Sequence, residues 1–264
     1  MQWWLAYLLI GMTAGFLAGL LGIGGGAVMV PMLVFVFNAQ GMQSQHVLHL
    51  ALATAMATIM FTSLSSMRAH HAHGSVDWKI ARTMAPGILA GAFAAALIAG
   101  FIPTRPLATM FAVLMFYAAT QILFDLRPKS SRELPGPAGV FCAGAVIGGV
   151  SSLLAAGGAF LSIPFLAWCK IPLRRAIGTA AANGLPIAVA GTAGYVIQGW
   201  RVEDLPFPAL GYVYLPALGL VAMFSMLTAP LGARLAHRLP VKQLRIVLAL
   251  VLYAVAVRLL IRLW

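Results

Sequence analysis

The stretch Gly11-Met-Thr-Ala-Gly-Phe-Leu-Ala-Gly-Leu-Leu-Gly-Ile-Gly-Gly-Gly-Ala-Val-Met-Val-Pro31 lies inside an apolar run, Trp3 to Phe37, that has no charged residue. As one straight helix this run would be about 52 Å long, whereas the hydrocarbon core of a membrane is about 30 Å thick. Three successive glycines, Gly24 to Gly26, hold a helix poorly and allow positive φ angles. We therefore predict two helical legs that meet at a glycine break deep in the bilayer, with Pro31 near the start of the second leg, where a missing N–H costs least. The other glycines of the stretch are predicted to serve close helix packing: Gly11, Gly15, Gly19 and Gly22.

Composition indicates an integral membrane protein, because 62% of the 264 residues are hydrophobic and only 8% are charged. The net charge of +12 does not indicate nucleic-acid binding, since the basic residues form short clusters between apolar runs. Cys142 and Cys169 lie in apolar segments, and we assign them no disulfide or metal role. We expect an all-α, multi-pass protein of the cell membrane, in bacteria the inner membrane, without a cofactor.

An internal repeat divides the chain into two halves. Residues 153–164 align with residues 20–31 at an offset of 133, and Thr179 aligns with Thr54 at an offset of 125. The apolar segments are about 3–37, 47–67, 80–101, 106–124, 136–168, 176–197, 207–231 and 241–263. The sequence therefore predicts one transmembrane domain of two repeats, residues 1–125 and 136–264, each a glycine-broken hairpin followed by three transmembrane helices.

The distribution of Lys and Arg decides between two topologies. If each broken segment is a hairpin that returns to its own side, 13 of the 17 basic residues fall on one side of the membrane. If each broken segment crosses once, the split is about even. The positive-inside rule favours the hairpins, which place both termini and the loop with Glu203 outside the cytoplasm. Each half then crosses three times, so the halves are inverted, as in many secondary transporters.

Acidic residues are few, and all are predicted to lie in loops: Asp77, Asp125, Glu133, Glu203 and Asp204. The lack of a carboxylate deep in the membrane argues against a cation substrate and against a carboxylate proton relay. Helices that restart at the two glycine breaks present free N–H groups, and two such ends at the midplane would form an anion site. For any single hydroxyl the alternative is a backbone or interhelical hydrogen bond. The candidate substrate-binding residues are Gly24, Gly25, Gly26, Thr54, Ser63, Gly157, Gly158, Thr179 and Asn183.

Two groups of histidines are candidates for other roles. His70, His71 and His73 lie in a short basic loop with only Asp77 as a possible carboxylate partner and no Cys, which favours solvated side chains over a metal site. His46 and His49 flank the external start of the second segment and could titrate near physiological pH, or simply sit at the interface. The coupling ion, a proton or sodium, stays open, as does the oligomeric state.

The motif Gly15-Phe-Leu-Ala-Gly19-Leu-Leu-Gly22-Ile-Gly24-Gly-Gly26, followed by Pro31, resembles the signature of the TauE/SafE sulfite-exporter family, also called toluene-sulfonate uptake permeases. The stretches from Thr62 to Trp78 and from Ala176 to Trp200 are similar to that family as well. In the second repeat the signature departs from the family pattern at Ala155, Ala156, Ala159 and Ala180. The resemblance implies transport of sulfur-containing anions, usually outward.

The leading hypothesis is a secondary transporter that exports a small sulfur-containing oxyanion, such as sulfite, sulfoacetate or another organosulfonate, by alternating access around a midplane site. One alternative is a passive anion channel of the same architecture. Another is a membrane-embedded enzyme, which would need a Gly-x-Ser-x-Gly motif or a multi-His/acid site inside the membrane. The sequence contains neither. The expected partners are the small anion and the lipid bilayer.

Overall fold

The computed structural model describes residues 2–21, 25–42, 45–124 and 133–236, and, near the end of the chain, 246, 249–250, 252–254 and 256–258. The elements are α1 (Gln2–Leu21), α2 (Gly26–Ala39), α3 (Val47–Ala72), α4 (Trp78–Ala99), α5 (Thr104–Leu123), α6 (Pro137–Leu153), α7 (Ala159–Trp168), α8 (Leu173–Gly199), β1 (Ala209–Leu210), β2 (Val213–Tyr214) and α9 (Leu215–Ala236). Described residues after 245 are helical. The predicted all-α membrane fold is confirmed.

Helix length separates two kinds of element. Five of the described helices are long and apolar enough to cross a membrane: α3, α4, α5, α8 and residues 215–232 of α9. The two long apolar segments of the sequence are instead each divided into two apolar helices, α1 with α2 and α6 with α7, of which α2, α6 and α7 have only 14, 17 and 10 residues. The division falls at the glycines because a helix cannot continue through the backbone conformation that they adopt.

The centre of the protein is formed by α3 and α8, the two most buried of the long helices. A Cβ added at Gly184 would lie 3.3 Å from the Cβ of Ser63, and one added at Gly191 would meet Met56. Since the numbers rise on α8 while they fall on α3, the two helices run antiparallel. The other long helices surround this pair and leave more of their surface exposed.

Glycines allow the first leg of each hairpin to approach a helix of the other half. Gly11, Gly15 and Gly19 of α1 face Val221, Ser225 and Ala229 of α9, with a spacing of four residues on both helices. On the other side of the protein α6 packs against α4 in the same parallel sense, through Gly87 and Gly91 and through Gly144 and Gly148. The predicted packing role of Gly11, Gly15 and Gly19 is confirmed, while Gly22 lies outside the described residues. Each half thus packs its first leg on a helix of the other half.

Two boundaries differ from the sequence prediction. His70 and His71 belong to the last turn of α3, and His73 caps it, so this segment continues as helix rather than as a loop. The segment predicted to begin at residue 207 starts with the strand pair β1–β2, and its helix begins at Leu215. Pro206 and Pro208 cannot donate helix hydrogen bonds, and Gly211 has a φ of 55°, so the helix starts only beyond them.

Candidate functional site where two broken helices meet

The glycines that immediately precede α2 and α7 adopt the same backbone conformation. Gly25 precedes α2 with φ 68° and ψ −16°, and Gly158 precedes α7 with φ 77° and ψ −19°. Each glycine carbonyl accepts two hydrogen bonds, from the N–H groups three and four residues further on, at 2.9 to 3.3 Å. Only glycine adopts this left-handed conformation without strain. The predicted glycine break is therefore confirmed in both halves, while Gly24 lies outside the described residues.

The prolines of the two hairpins lie deeper in their helices than predicted. Pro31 and Pro164 are each the sixth residue of a short helix, α2 or α7. The first four N–H groups of a helix have no helical acceptor, but the sixth would bond to the carbonyl four residues earlier. The expectation that these prolines stand where a missing N–H costs least is therefore wrong. The carbonyls of Ala27 and Phe160 lose their helical donor just inside each break.

The two breaks touch each other at the middle of the central helices. A Cβ added at Gly26 would collide with the carbonyl oxygen of Ala155, and would lie 2.7 Å from Cδ1 of Ile59, near the middle of α3. One added at Gly158 would collide with Ile187, near the middle of α8. The two short helices therefore begin at the same level, half-way along the membrane-crossing pair.

Ala155 shows how the second break keeps its shape without a glycine at this position. Ala155 is fully buried and has a φ of 46°, although alanine in this region costs about 1–2 kcal/mol. It aligns with Gly22 at the offset of 133, and it is one of the positions at which the second signature departs from the family pattern. The strain is held by the surrounding contacts, because the neighbouring N–H of Ala156 bonds to Ser151 at 2.8 Å.

Some of the predicted site residues come together at this level. A Cβ added at Gly184 would lie 2.9 Å from the carbonyl oxygen of Gly157 and 3.3 Å from the Cβ of Ser63, so α3, α8 and the second break meet there. Ser63 is buried, and its hydroxyl donates to the carbonyl of Met60 at 3.3 Å. Gly26 joins the group through Ala155.

Thr54 and Thr179 are not brought together. With α3 and α8 antiparallel, Thr54 lies nine residues before Ser63, and Thr179 lies five residues before Gly184, in opposite directions from the breaks. Their levels are therefore separated by about 21 Å of helix. Both are fully buried.

The two threonines nevertheless make matching contacts. The Oγ1 of Thr54 accepts a hydrogen bond from the backbone N–H of Tyr214, immediately before α9, at 3.0 Å. The Oγ1 of Thr179 accepts one from the backbone N–H of Asp77, immediately before α4, also at 3.0 Å. Each half thus anchors the start of a helix of the other half, and each hydroxyl keeps its own O–H to donate.

Asn183 and several serines carry polar atoms without a partner. The Nδ2 of Asn183 donates to the sulfur of Met84 at 3.6 Å, while its Oδ1 has no hydrogen-bond partner. The hydroxyls of Ser151, Ser152 and Ser162, on the helices that flank the second break, also lack one. Ser162 is not among the residues that the sequence pattern predicts. A position-by-position comparison of the repeats could have found it, because Met29 stands at the equivalent place.

The electrostatics at the two helix breaks favour a negative charge. The described carboxylates, Asp77, Glu133, Glu203 and Asp204, all lie outside the helices, and Asp77 caps α4 by accepting from the N–H groups of residues 79 and 80. The first N–H groups of α2 and α7 have no acceptor within their helices, and both helix dipoles point their positive ends at the breaks. This arrangement is suited to holding an anion.

The described histidines lie towards the ends of α3, away from the breaks. His49, at the start of α3, is buried and its Nε2 lies 3.0 Å from the carbonyl oxygen of Ala99, while its ring stacks on Tyr212 at 5.1 Å between centroids. The ring of His46 contacts the rings of both His49 and Tyr212. Burial raises the pKa of the Tyr212 phenol above its ordinary value. In the described part of the chain no group of three or more His, Cys, Asp or Glu is placed to hold a metal ion.

Comparison with known proteins agrees with this architecture. The family described as "Sulfite exporter TauE/SafE" matches residues 7–259. The chain belongs to the TauE/SafE sulfite exporter family. A probable membrane transporter protein of Haemophilus influenzae is 35% identical over 97% of this chain and 97% of its own length. One of Methanocaldococcus jannaschii is 26% identical over 93% of this chain and 91% of its own length. No solved structure matches the chain.

Membership of the TauE/SafE family makes the protein a multi-pass membrane transporter. A further relative, the probable membrane transporter protein YdhB of Bacillus subtilis, is 28% identical over 73% of this chain and 79% of its own length. These relatives are described as transporters and not as enzymes. The meeting point of the two breaks in this TauE/SafE protein is therefore a candidate transport site.

Proposed function

We propose that this TauE/SafE protein is a secondary transporter that exports a small sulfur-containing oxyanion through a site at the meeting point of the two helix breaks. Sulfite, sulfoacetate and other organosulfonates are the candidate substrates. The family description names sulfite export, and the site provides neutral donors in the middle of the protein.

One observation carries the proposal. The helices α2 and α7 both start at left-handed glycines, and Gly26 at the start of α2 contacts Ala155, in the turn that leads into α7, half-way along α3 and α8. Two positive helix ends in an apolar interior repel each other unless an anion lies between or beside them. Several N–H donors that converge on one anion give an affinity that still permits release, because each contributes only about 0.3–2 kcal/mol.

The directions of the helices support an inverted repeat. In the hairpin topology α3 and α8 must run antiparallel, whereas in the topology with eight crossings they would run parallel. They are antiparallel. Together with the excess of basic residues on one side, this supports the proposal that each half crosses three times and that both termini and the Arg201–Asp204 loop lie outside the cytoplasm.

The proposed substrate contacts are assigned by how far each residue lies from the two breaks along α3 and α8. Gly24, Gly25, Gly26, Ser63, Gly157, Gly158 and Asn183 are proposed to line the midplane site. Thr54 and Thr179 lie on opposite sides of that level, so we propose that they meet the anion on its way into and out of the site. If transport is coupled to protons, His46 or His49 is the proposed proton carrier, and a transport rate that does not change with pH would remove both residues from the proposal.

The test is anion binding by purified, monodisperse protein against sulfite, thiosulfate, sulfoacetate, taurine and sulfate. We expect binding of at least one sulfur oxyanion, and loss of that binding in Gly25→Val, because valine is strained at a φ of 68° and its Cβ would lie 2.7 Å from the carbonyl oxygen of Ala14, which displaces the start of α2. Counterflow of the labelled anion in vesicles then identifies a carrier, because unlabelled anion on the far side accelerates uptake by a carrier. Wild-type protein that binds none of the five would contradict the substrate class, and counterflow without acceleration would indicate a channel.

A further inference from the structure

Most of the buried Ser and Thr hydroxyls in the described helices have a hydrogen-bond partner. A helical Ser or Thr normally donates to the carbonyl three or four residues earlier. The residues that do so here are Thr13, Thr58, Thr62, Ser63, Thr83, Thr109, Thr120, Ser225 and Thr228. A buried hydroxyl that makes no such bond is therefore an exception that needs a reason.

Three such exceptions surround the second break. Ser151 and Ser152 are among the last residues of α6, and Ser162 is the fourth residue of α7. Each is at most 1% exposed, and none of the three hydroxyl oxygens has a hydrogen-bond partner. The local backbone does not use them, although the carbonyls of Ser151 and Ser152 close the turn after α6.

Of these hydroxyls, that of Ser152 faces α8, and that of Ser162 lies beside the glycine of the break. The Oγ of Ser162 lies 3.8 Å from the point that a Cβ of Gly158 would occupy. The Oγ of Ser152 lies 2.8 Å from the point that a Cβ of Gly191 would occupy. Gly184 and Gly191 are two helical turns apart on α8, and Ile187 lies on the same face between them, against Gly158.

The first break has no counterpart to these groups. At the offset of 133, the places of Ser151, Ser152 and Ser162 are taken by Ala18, Gly19 and Met29, which have no hydroxyl. The backbone conformation is shared by both breaks, but the polar side chains are found at the second alone among these paired positions.

We propose that Ser152 and Ser162 bind the oxygen atoms of the transported oxyanion at the N-terminus of α7. The inference rests on the proposed function and assigns unequal roles to the two hairpins. The second hairpin holds the anion with two hydroxyls and the free N–H groups of Ala159 and Phe160, while the first contributes backbone and shape. A sulfite or sulfonate group has three oxygen atoms that accept hydrogen bonds, which suits such a set of neutral donors.

The first test measures the protein without ligand. Removing an unpartnered buried hydroxyl does not break a hydrogen bond, so Ser152→Ala and Ser162→Ala should unfold at the wild-type temperature or above it. Ser225→Ala is the matched control, because Ser225 is equally buried and its hydroxyl donates to Val221 at 2.6 Å. A lower unfolding temperature for both site variants would show that the hydroxyls have structural partners and would overturn the proposal.

The second test measures the dissociation constants of sulfite and sulfoacetate. We expect Ser152→Ala and Ser162→Ala each to weaken binding of the anion that the wild type binds by about 10- to 100-fold, the effect of one hydrogen bond to a charged group. Ser225→Ala should bind as the wild type does. Wild-type affinity in both site variants would overturn the inference and leave the proposed function standing. If the wild-type protein binds neither anion, both the inference and the proposed function are overturned. This result is obtained with the wild type before any variant is compared.

Discussion

Replacement of Gly26 by alanine tests whether the two breaks touch. Gly26 is the first residue of α2, and its Cα faces the carbonyl group of Ala155 in the other half. A methyl group at this place would lie 2.9 Å from the carbonyl carbon of Ala155, closer still to its oxygen, and 2.7 Å from Cδ1 of Ile59. Ile59 can turn its terminal methyl away, but the backbone of Ala155 is fixed in a strained turn.

The size of the effect follows from these distances. Nonbonded carbon atoms settle at about 3.5–4.0 Å, so the breaks must separate by at least about 0.6 Å, and further to clear the oxygen. Overpacking of a buried site costs about 1–3 kcal/mol, and we expect the upper end because backbone must move. For a chain of this length, about 3 kcal/mol corresponds to a fall in unfolding temperature on the order of 6–12 °C.

The assay is thermal unfolding in detergent, followed by sulfite and sulfoacetate binding on the protein that stays folded. Gly219→Ala is the control, because Gly219 also lies in a helix but has open space around it. That variant should be as stable as the wild type or up to about 1 kcal/mol more stable. If Gly26→Ala behaved like Gly219→Ala in both measurements, the contact between the breaks, and the site built on it, would be refuted.

Three further predictions concern the loops and the threonines. A membrane-impermeant thiol reagent should label Arg174→Cys only from the cytoplasmic side and Glu203→Cys only from outside. Labelling of Arg174→Cys from outside alone would contradict the hairpin topology. Asp77→Asn should keep the transport rate and the stability of the wild type, because Asn caps a helix as well as Asp does. Asp77→Ala should lower the free energy of unfolding by about 1 kcal/mol. A specific loss of transport in well-folded Asp77→Asn would contradict this prediction. Thr54→Val and Thr179→Val should each cost about 1–3 kcal/mol, since each leaves the N–H at the start of a helix without its acceptor, and unchanged unfolding temperatures would count against these contacts.

The repeat allows much of the site to be predicted from local sequence. The glycines at positions 25 and 158 are predicted as breaks because each lies in a run of small residues, inside an apolar segment that is too long to cross the membrane once as a straight helix. The course of residues 207–214 and the depth of Pro31 are not predicted correctly. Both depend on where a helix begins, and helix boundaries depend on capping and packing contacts that a sequence pattern does not contain.

By itself, the sequence determined that the chain is a membrane protein of repeated helical segments, that each half contains a glycine break, and that charge is excluded from its apolar core. These properties follow from hydrophobicity, glycine conformation and charge, which act locally along the chain. Only the tertiary structure decided that the breaks touch each other, that Thr54 and Thr179 lie on opposite sides of that contact, and that the unpartnered serines gather at the second break. The reason is physical, because the antiparallel register of α3 and α8 and the close glycine contacts between halves arise from packing between residues far apart in the sequence.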